Sequence, residues 1–240
     1  MTSLRLSVVV PAFNEAAILE RNLGLLAQRL NLLGESFEIL CVDDGSTDGT
    51  AEILARLGTL IRALRHATNR GKGAAVRTGA LAAHGERIVF LDADLSTDLD
   101  ALSPLLAALD LGADVSLGSR RLQGSEIARH QPPLREYAGR VFSRLARALV
   151  APEVRDFTCG FKGFRREACT AIFSRTRVER WAFDAEVIAI ARARGMQLVQ
   201  VPVHWKHSGS SKVRVLGATL GSLGALIAIV LRQCLGTYRK

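Results

Sequence analysis

The feature that most constrains this chain is an alternation. Short runs rich in β-branched residues repeatedly give way to stretches whose apolar residues recur at helical spacing. Leu6 to Val10 reads as a strand, and Ala16 to Leu33 as a helix with Leu19, Leu23, Leu26 and Leu30 on one face. Phe37 to Val42, Ile61 to Leu64, Arg87 to Leu91 and Asp114 to Leu117 read as further strands, with helices through Leu57 and to His84 between them. Strands joined through helices pair in parallel and need both faces covered. The expected fold class is therefore α/β, a mostly parallel central sheet flanked by helices. The 240 residues, 48% of them hydrophobic, are enough for a sizeable core.

Two of these strands run straight into carboxylates. Phe37 to Val42 leads into Asp43-Asp44-Gly45-Ser46, and Arg87 to Leu91 into Asp92-Ala93-Asp94, with Asp98 close behind. Both clusters fall at the carboxyl edge of the sheet, where open α/β sheets bind ligands. Like charges crowded there resist desolvation, so something must offset them. Asp-x-Asp at a strand end offers hard oxygen ligands to Mg²⁺ or Mn²⁺, with phosphates and waters completing the octahedron. Helix capping by Asp98 or Ser96 accounts for one residue, but not for Asp92 and Asp94 beside Asp43 and Asp44. The loop Asn69-Arg70-Gly71-Lys72-Gly73 precedes a helix and suits a diphosphate, although neither a P-loop nor a GxGxxG motif is present.

The charge balance is +9, with a sequence pI near 10.1. Such an excess points to a polyanion: nucleic acid, an anionic membrane or a phosphorylated substrate. Aromatics make up only 5%, which argues against base-stacking platforms, and no helix-turn-helix, ribonucleoprotein or zinc-finger pattern occurs. Nucleic acid is therefore not the expected partner. Arginines crowd residues 119 to 147, where Arg140, Arg144 and Arg147 share a helix face opposite Val141, Phe142, Leu145 and Leu149. Cys41, Cys159, Cys169 and Cys234 lack paired spacing and read as reduced thiols. His66, His84 and His207 lack metal-ligand spacing, and Trp205 reads as packing. The N-terminal run reads as a first strand, and neither as a signal peptide nor as a membrane anchor.

The tail is different again. Val215 to Leu231 carries no charge, and Arg214 and Arg232 flank it. As a helix it spans about 26 Å, slightly short for a hydrocarbon core of about 30 Å. Leu216, Leu220, Leu223, Ile227 and Val230 mark an apolar stripe, and Gly217, Gly221 and Gly224 a small-residue stripe suited to close helix contact. A buried core helix would explain the apolar face, and a spanning helix the absence of charge; the expectation is an amphipathic or hydrophobic helix lying in the membrane interface.

Pro11-Ala12-Phe13-Asn14-Glu15, Val42 to Thr50, Asn69 to Gly73 and Asp92-Ala93-Asp94, taken in this order and at this spacing, resemble a family 2, GT-A-type glycosyltransferase. Asp156 to Lys162, Val178 to Asp184, Val203-His204-Trp205 and Ser211-Lys212 narrow the resemblance to the dolichyl-phosphate β-glucosyltransferase, or polyprenyl-phosphate hexosyltransferase, branch. The resemblance covers nearly the whole chain. It implies a Rossmann-like GT-A domain over 1–212, with a nucleotide-sugar half at 1–118 and an acceptor half at 119–212, followed by the membrane-associated helix at 213–240. It places the nucleotide sugar against Pro11, Ala12, Glu15, Asp43, Asp44, Arg70, Lys72 and Asp92. Asp94 would hold Mg²⁺ or Mn²⁺. Arg120, Arg135, Arg140, Ser143 and Lys212 would meet the acceptor phosphate, and Asp156 would stand beside the reacting sugar. Asp94, Asp156 and Arg120 are the implied catalytic residues. This chain has Phe13 where the family has Tyr, and Phe157-Thr158 where it has Thr-Gln.

The implied activity is inverting transfer of a hexose, glucose from UDP-glucose foremost, to a polyprenyl or dolichyl phosphate at an anionic membrane surface. Transfer of mannose from GDP-mannose, and transfer to a protein or soluble glycan, are the nearest alternatives. A catalytically silent membrane-bound partner is the alternative of another class. The eukaryotic glucosyl enzymes' N-terminal membrane segment has no counterpart here, so the expectation is a bacterial or archaeal protein at the cytoplasmic face of the membrane.

Overall fold

A computed structural model describes residues 4–58, 60–130, 133–207 and 215–239, with the side chains of 134, 135 and 215–220 outside the description. Among the described residues the chain alternates β1 (Leu6–Ala12), α1 (Ala16–Asn31), β2 (Phe37–Asp43), α2 (Thr50–Arg56), β3 (Arg62–Arg65), α3 (Lys72–Ala82) and β4 (Arg87–Leu91). A short 3-10 turn, Leu99–Ala101, leads into α4 (Leu102–Asp110), β5 (Val115–Ser119), β6 (Glu126–Arg129) and α5 (Pro133–Leu149). Then come β7 (Phe161–Arg165), α6 (Arg166–Phe173), α7 (Phe183–Ala193), β8 (Leu198–Pro202), β9 (His204–Lys206) and α8 (Val215–Cys234).

Seven strands form one sheet in the order β3-β2-β1-β4-β7-β5-β8, and β6 pairs with β9 apart from it. All neighbours in the large sheet run parallel except β7, which is antiparallel to both β4 and β5. Successive strand residues supply opposite faces: Val9 belongs to one core cluster, Val8 and Val10 to the other. The first cluster takes in α3, α5, α6, α7 and α8, and the second α1 and α4. A sheet buried on both faces explains the long apolar runs in β1, β2 and β4.

The order of strands reverses beside β1: β2 and β3 lie to one side of it, and the next strand in the chain, β4, lies on the other. Pairing between β1 and β4 stops at Val9 and Phe90, while β1 and β2 stay paired to Ala12 and Asp43. Pro11, which has no N–H to give, falls beyond the last β4 partner. This is the crevice at a topological switch point where α/β sheets hold ligands.

The tail departs from the expectation. Leu226 and Ile229 of α8, and Tyr238 beyond it, belong to the main core, and α8 packs on α5 and α7. The helix is thus packed into the core as well as presenting an outer face. The buried positions also differ from the expected stripe, because Ile227 points outward at 62% exposure. Nothing lies within 4 Å of where a Cβ would stand on Gly221 or Gly224, so this part of the glycine stripe meets no helix. Among the described residues, no helix is long and apolar enough to cross a membrane.

The cysteines are unpaired, as read from their spacing. Burial pushes Cys41 and Cys169 up to about 12, and Cys159 up to about 11. Cys234 is exposed. Since the thiolate is the reactive form, iodoacetamide at pH 8 should alkylate native protein at Cys234 alone and denatured protein at all four cysteines. Mass spectrometry showing Cys41 or Cys169 labelled as fast as Cys234 would contradict this packing.

Candidate active site at the carboxyl edge

The antiparallel course of β7 assembles the site. Because β7 starts beside the end of β4, with Phe161 opposite Leu91, the turn before β7 lies at the same edge as Asp92. Gly160 fits there only because it lacks a side chain: a Cβ would overlap the Asp92 carboxylate. β5 ends at this edge too, and Arg120 follows it directly.

The donor side combines the first three crossings. Asn14 N–H donates to Ser46 Oγ at 2.9 Å, Thr47 N–H to Asn14 Oδ1 at 2.8 Å and Glu15 N–H to Thr50 Oγ1 at 3.0 Å, which stitches residues 14–15 to the turn after β2. Gly45 has φ +74°, and a Cβ on it would stand 2.6 Å from Thr68 C, so the turn can lie directly on the loop entering α3. Asp43 is buried: Oδ1 accepts from Ser46 N–H at 2.8 Å, and Arg65 Nε lies 3.2 Å from Oδ2. Their alignment is too poor for a hydrogen bond, which leaves Oδ2 without one among the described residues.

The structure gives Asp44 a different job from the expected nucleotide contact. It is 2% exposed and uses both oxygens within the chain. Oδ1 accepts from Arg70 N–H at 3.0 Å and meets His66 Nδ1 at 2.6 Å, and Oδ2 accepts from Gly71 N–H at 2.7 Å. Arg70 itself is drawn across to Glu179. Lys72 is ion-paired with Asp92, 5.7 Å from the Trp181 ring centre and 5.9 Å from that of Phe183. Burial acts against its charge, but Asp92, Asp184 and Asp94 outweigh it and hold the ammonium above its ordinary pKa.

Asp94 follows in a tight turn. Its Oδ1 accepts from Ser96 N–H at 3.0 Å, and Leu95 between them has φ +48°, an uncommon conformation for a γ-branched residue and a strained one. Among the described residues, no three His, Cys, Asp or Glu side chains cluster as a self-sufficient metal site. What fits is a hard divalent ion held by one or two carboxylates, the remaining positions filled by substrate phosphate and water.

On the acceptor side, Asp156 is fully buried and takes Arg120 edge-on: Nε to Oδ2 at 2.7 Å and Nη2 to Oδ1 at 2.9 Å, with Arg120 N–H on Oδ2 at 3.1 Å. Thr158 Oγ1 accepts from Nη2 at 2.8 Å. Burial alone would raise the Asp156 carboxyl, but Arg120 holds it well below the usual carboxylate range. Asp156, expected beside a sugar, is here sealed from solvent with both oxygens turned to Arg120. Trp205 is packed as expected, and it also lies 5.4 Å under the Arg120 guanidinium.

Burial and the neighbouring Arg120, Arg140 and Arg144 depress the Arg121 pKa, with only Asp156 acting against them. Arg140 is exposed and paired with Glu136 one turn earlier. Ser143 is fully buried, its Oγ without a hydrogen-bond partner among the described residues, so it faces the core and not an acceptor surface. Lys212 and the side chain of Arg135 lie outside the described residues.

The sequence reading did not assign Arg121, Gly160, Lys162, Trp181 or Asp184 a role. Lys162, fully buried, donates to Asp184 Oδ1 at 2.5 Å and to Cys159 O at 2.6 Å. A lysine in an apolar strand is the signal that it has a buried partner.

The model of the Glycosyl transferase family 2 family matches residues 7–173. The chain is 37% identical over 247 residues to dolichyl-phosphate beta-glucosyltransferase ALG5C of Trichomonas vaginalis, covering 96% of this chain and 73% of that one. It is 32% identical to the dolichyl-phosphate beta-glucosyltransferase of Homo sapiens, covering 98% and 78%. Glucosyl-3-phosphoglycerate synthase of Mycobacterium tuberculosis, crystallised with Mn²⁺, uridine-diphosphate-glucose and phosphoglyceric acid, superposes with TM-score 0.71 at 21% identity, covering 96% and 80%. That likeness shows a shared GT-A fold. Glycosyltransferase AglD of Haloferax volcanii is 33% identical, covering 91% of this chain and 36% of that one, so relatives occur in eukaryotes and archaea alike and leave the expected bacterial or archaeal source undecided.

Asp44→Ala should expose the loop's dependence on this carboxylate. It leaves two backbone N–H groups and His66 without their acceptor, at a cost of about 2–4 kcal/mol in chemical denaturation. A loss under about 0.5 kcal/mol, the size of an ordinary surface change, would mean that Asp44 does not anchor the loop.

Proposed function

The chain belongs to glycosyl transferase family 2, and on that premise we propose that it moves glucose from UDP-glucose to a polyprenyl phosphate with inversion at the anomeric carbon. It is a hexosyltransferase. The observation that carries the acceptor reading is the set of arginines on this side of the edge, Arg120 and Arg121 directly after β5 and the exposed Arg140 and Arg144 of α5. Burial, and then the charges of Arg120, Arg140 and Arg144, lower the Arg121 pKa. Such a cluster relaxes when an anion enters it, and Arg binds phosphate well. The kinship with dolichyl-phosphate glucosyltransferases supports glucose and a lipid phosphate. The buried Asp43 Oδ2 supports a base that offers an N–H, as uracil does.

Pro11, Ala12, Glu15 and Asp43 would line the nucleotide, and Arg70 and Lys72 the diphosphate. Lys72, kept ionised by its carboxylate neighbours, would donate to the departing diphosphate. Asp94, with Asp92 behind it, would hold Mg²⁺ or Mn²⁺. When bound, that ion supplies Lewis-acid neutralisation of the leaving group. Arg120 spends Nε and Nη2 on Asp156, and Nη1 is the edge that remains to orient the acceptor phosphate. A phosphate nucleophile is already anionic near neutral pH, so the site needs no general base. Direct displacement by its oxygen inverts the sugar carbon.

The outer faces of α5 and α8 would set this edge on a membrane. Tyr137, Leu145 and Leu149 of α5, with Ile227 and Leu231 of α8 and Leu235 after it, are exposed apolar residues. Arg140, Arg144 and Arg147 are exposed among them. Apolar side chains interleaved with cations suit an anionic interface.

Incubation with Mn²⁺ or Mg²⁺, UDP- or GDP-linked glucose and mannose, and undecaprenyl or dolichyl phosphate should yield a glucolipid from UDP-glucose. Asp94→Asn should lower turnover by about 10²-fold or more, as chelation does. Arg121→Ala should raise the acceptor KM by about tenfold with donor binding intact, the loss of one charge-assisted contact. Product with phosphoglyceric acid in place of the lipid would overturn the acceptor reading. Full activity in chelator would overturn the metal.

The membrane reading has its own test. Ile227→Glu with Leu231→Glu leaves the buried face of α8 untouched and should abolish co-sedimentation with phosphatidylglycerol liposomes. Transfer to a long-chain acceptor in those liposomes should fall, and transfer to a short, water-soluble polyprenyl phosphate should not. Unchanged sedimentation would show that α8 is not the docking face.

A further inference from the structure

Glu186 of α7 is a fully buried carboxylate that the transfer reaction does not use. Each of its oxygens takes two hydrogen bonds, and the two pairs come from distant parts of the chain. Oε2 accepts from the backbone N–H groups of Arg177 and Val178, both at 2.7 Å. Oε1 accepts from Arg232 Nη1 at 3.0 Å and from the Tyr238 hydroxyl at 2.8 Å. One side chain thus ties the end of α8, and the turn after it, to the segment that precedes α7.

That segment is the wall of the donor loop. Glu179 O accepts from Ala74 N–H in the first turn of α3 at 3.0 Å. A Cβ on Gly71 would stand 2.6 Å from Glu179 O, and one on Gly73 would stand 2.5 Å from Val178 O, so the two backbones are in direct contact. Glu179 holds Arg70, and Trp181 lies beside Lys72. Every residue proposed to meet the diphosphate from this loop therefore leans on residues 178–181. Residues 177 and 178 in turn hang from Glu186.

We infer that Glu186 is a positioning residue for the donor loop, through which Arg232 and Tyr238 set the affinity for the nucleotide sugar. The inference rests on the donor reading above. A buried carboxylate that loses one of its donors keeps its charge without full compensation, and it must turn or draw in water to recover. Either response loosens Arg177 and Val178, and with them the wall behind Arg70 and Lys72. Glu186, Arg232 and Tyr238 make none of the contacts around Asp156, which reach α7 through Lys162 and Asp184 instead, so the acceptor side does not share the effect. Because the outer face of α8 is the proposed membrane face and Arg232 lies at its end, seating on lipid and the grip on the donor are linked through one carboxylate.

The test uses the full chain with Tyr238→Phe, which removes one hydroxyl and keeps the ring, and with Glu186→Gln. Ile229→Ala, a truncation in the buried face of the same helix, is the control for lost stability. UDP binding in Mn²⁺ is measured by calorimetry, beside KM for each substrate and kcat. Tyr238→Phe should weaken UDP binding and raise the donor KM by roughly three- to ten-fold, part of what a hydrogen bond to a charged group contributes. Glu186→Gln should do more, and the acceptor KM should stay as in the parent for both. Ile229→Ala should lower the melting temperature at least as far and leave the donor KM in place. If Ile229→Ala reproduces the donor defect, or if both KM values move together, Glu186 is a packing residue and the inference fails. If Lys72→Ala weakens UDP binding while Tyr238→Phe and Glu186→Gln leave it unchanged, the inference fails and the donor reading stands. If Lys72→Ala also leaves UDP binding unchanged, the donor reading falls and takes the inference with it.

Discussion

Lys162 is an ammonium with no access to water, and the active edge depends on how that charge is met. Its Nζ donates to Asp184 Oδ1 of α7, and to Cys159 O and Phe157 O, at 2.6 and 3.4 Å, in the turn before β7. An isolated charge there would be prohibitive, and removing one partner of such a pair costs several kcal/mol. The place of this strand in the sheet therefore depends on α7 and on the turn. The turn carries Asp156, which receives Arg120, and Gly160, which admits the Asp92 carboxylate. Asp184 helps in turn to keep Lys72 ionised, while burial raises its own carboxyl above the ordinary range despite Lys162 and Lys72 beside it. Donor and acceptor sides share one buried post.

The reversed strand makes this possible. In a wholly parallel sheet, the segment entering a strand lies at the edge opposite the ligand. Because β7 runs antiparallel between β4 and β5, its leading turn reaches the carboxyl edge, where β4 ends in Asp92 and β5 in Arg120. The first half of the sheet supplies a nucleotide crevice by its ordinary topology. The reversal adds an acceptor wall to it.

The alternation of strands and helices was legible because parallel strands buried on both faces are written as unbroken apolar runs. β1, β2 and β4 stand within a residue or two of where those runs put them. β7 was not legible from periodicity: Phe161-Lys162-Gly163-Phe164-Arg165 reads as a half-exposed edge, since the partner that buries Lys162 lies 22 residues away. The tail misled for the opposite reason. A helix without charge has no polar face to mark its outside, so the sequence could not say that Leu226 and Ile229 face in while Ile227 faces out. At the site, residue types pointed to the right edge, and the arrangement does bring Asp43, Lys72, Asp92 and Asp94 to it. Roles were harder to read. Whether Asp44 or Asp156 faces a ligand depends on which N–H groups already occupy its oxygens, and those belong to loops whose paths no periodicity encodes.

In the proposed transfer, one unit of negative charge crosses the crevice. The acceptor phosphate gives it up as its oxygen bonds to the anomeric carbon, and the diphosphate takes it on as the sugar departs. A site that speeds this step must favour charge on the donor side more strongly at the transition state than in the ground state. It must also avoid gripping the nucleophile so tightly that its charge is spent. The two sides divide in that sense. Arg120 would meet the acceptor with its charge already shared with Asp156, and so would align a phosphate more than neutralise one. Lys72, above its ordinary pKa, is a full cation beside the leaving group. The acidic edge at Asp92 and Asp94 would by itself repel a diphosphate. The proposed divalent ion would offset that repulsion, so that the strongest positive field forms where the charge is going.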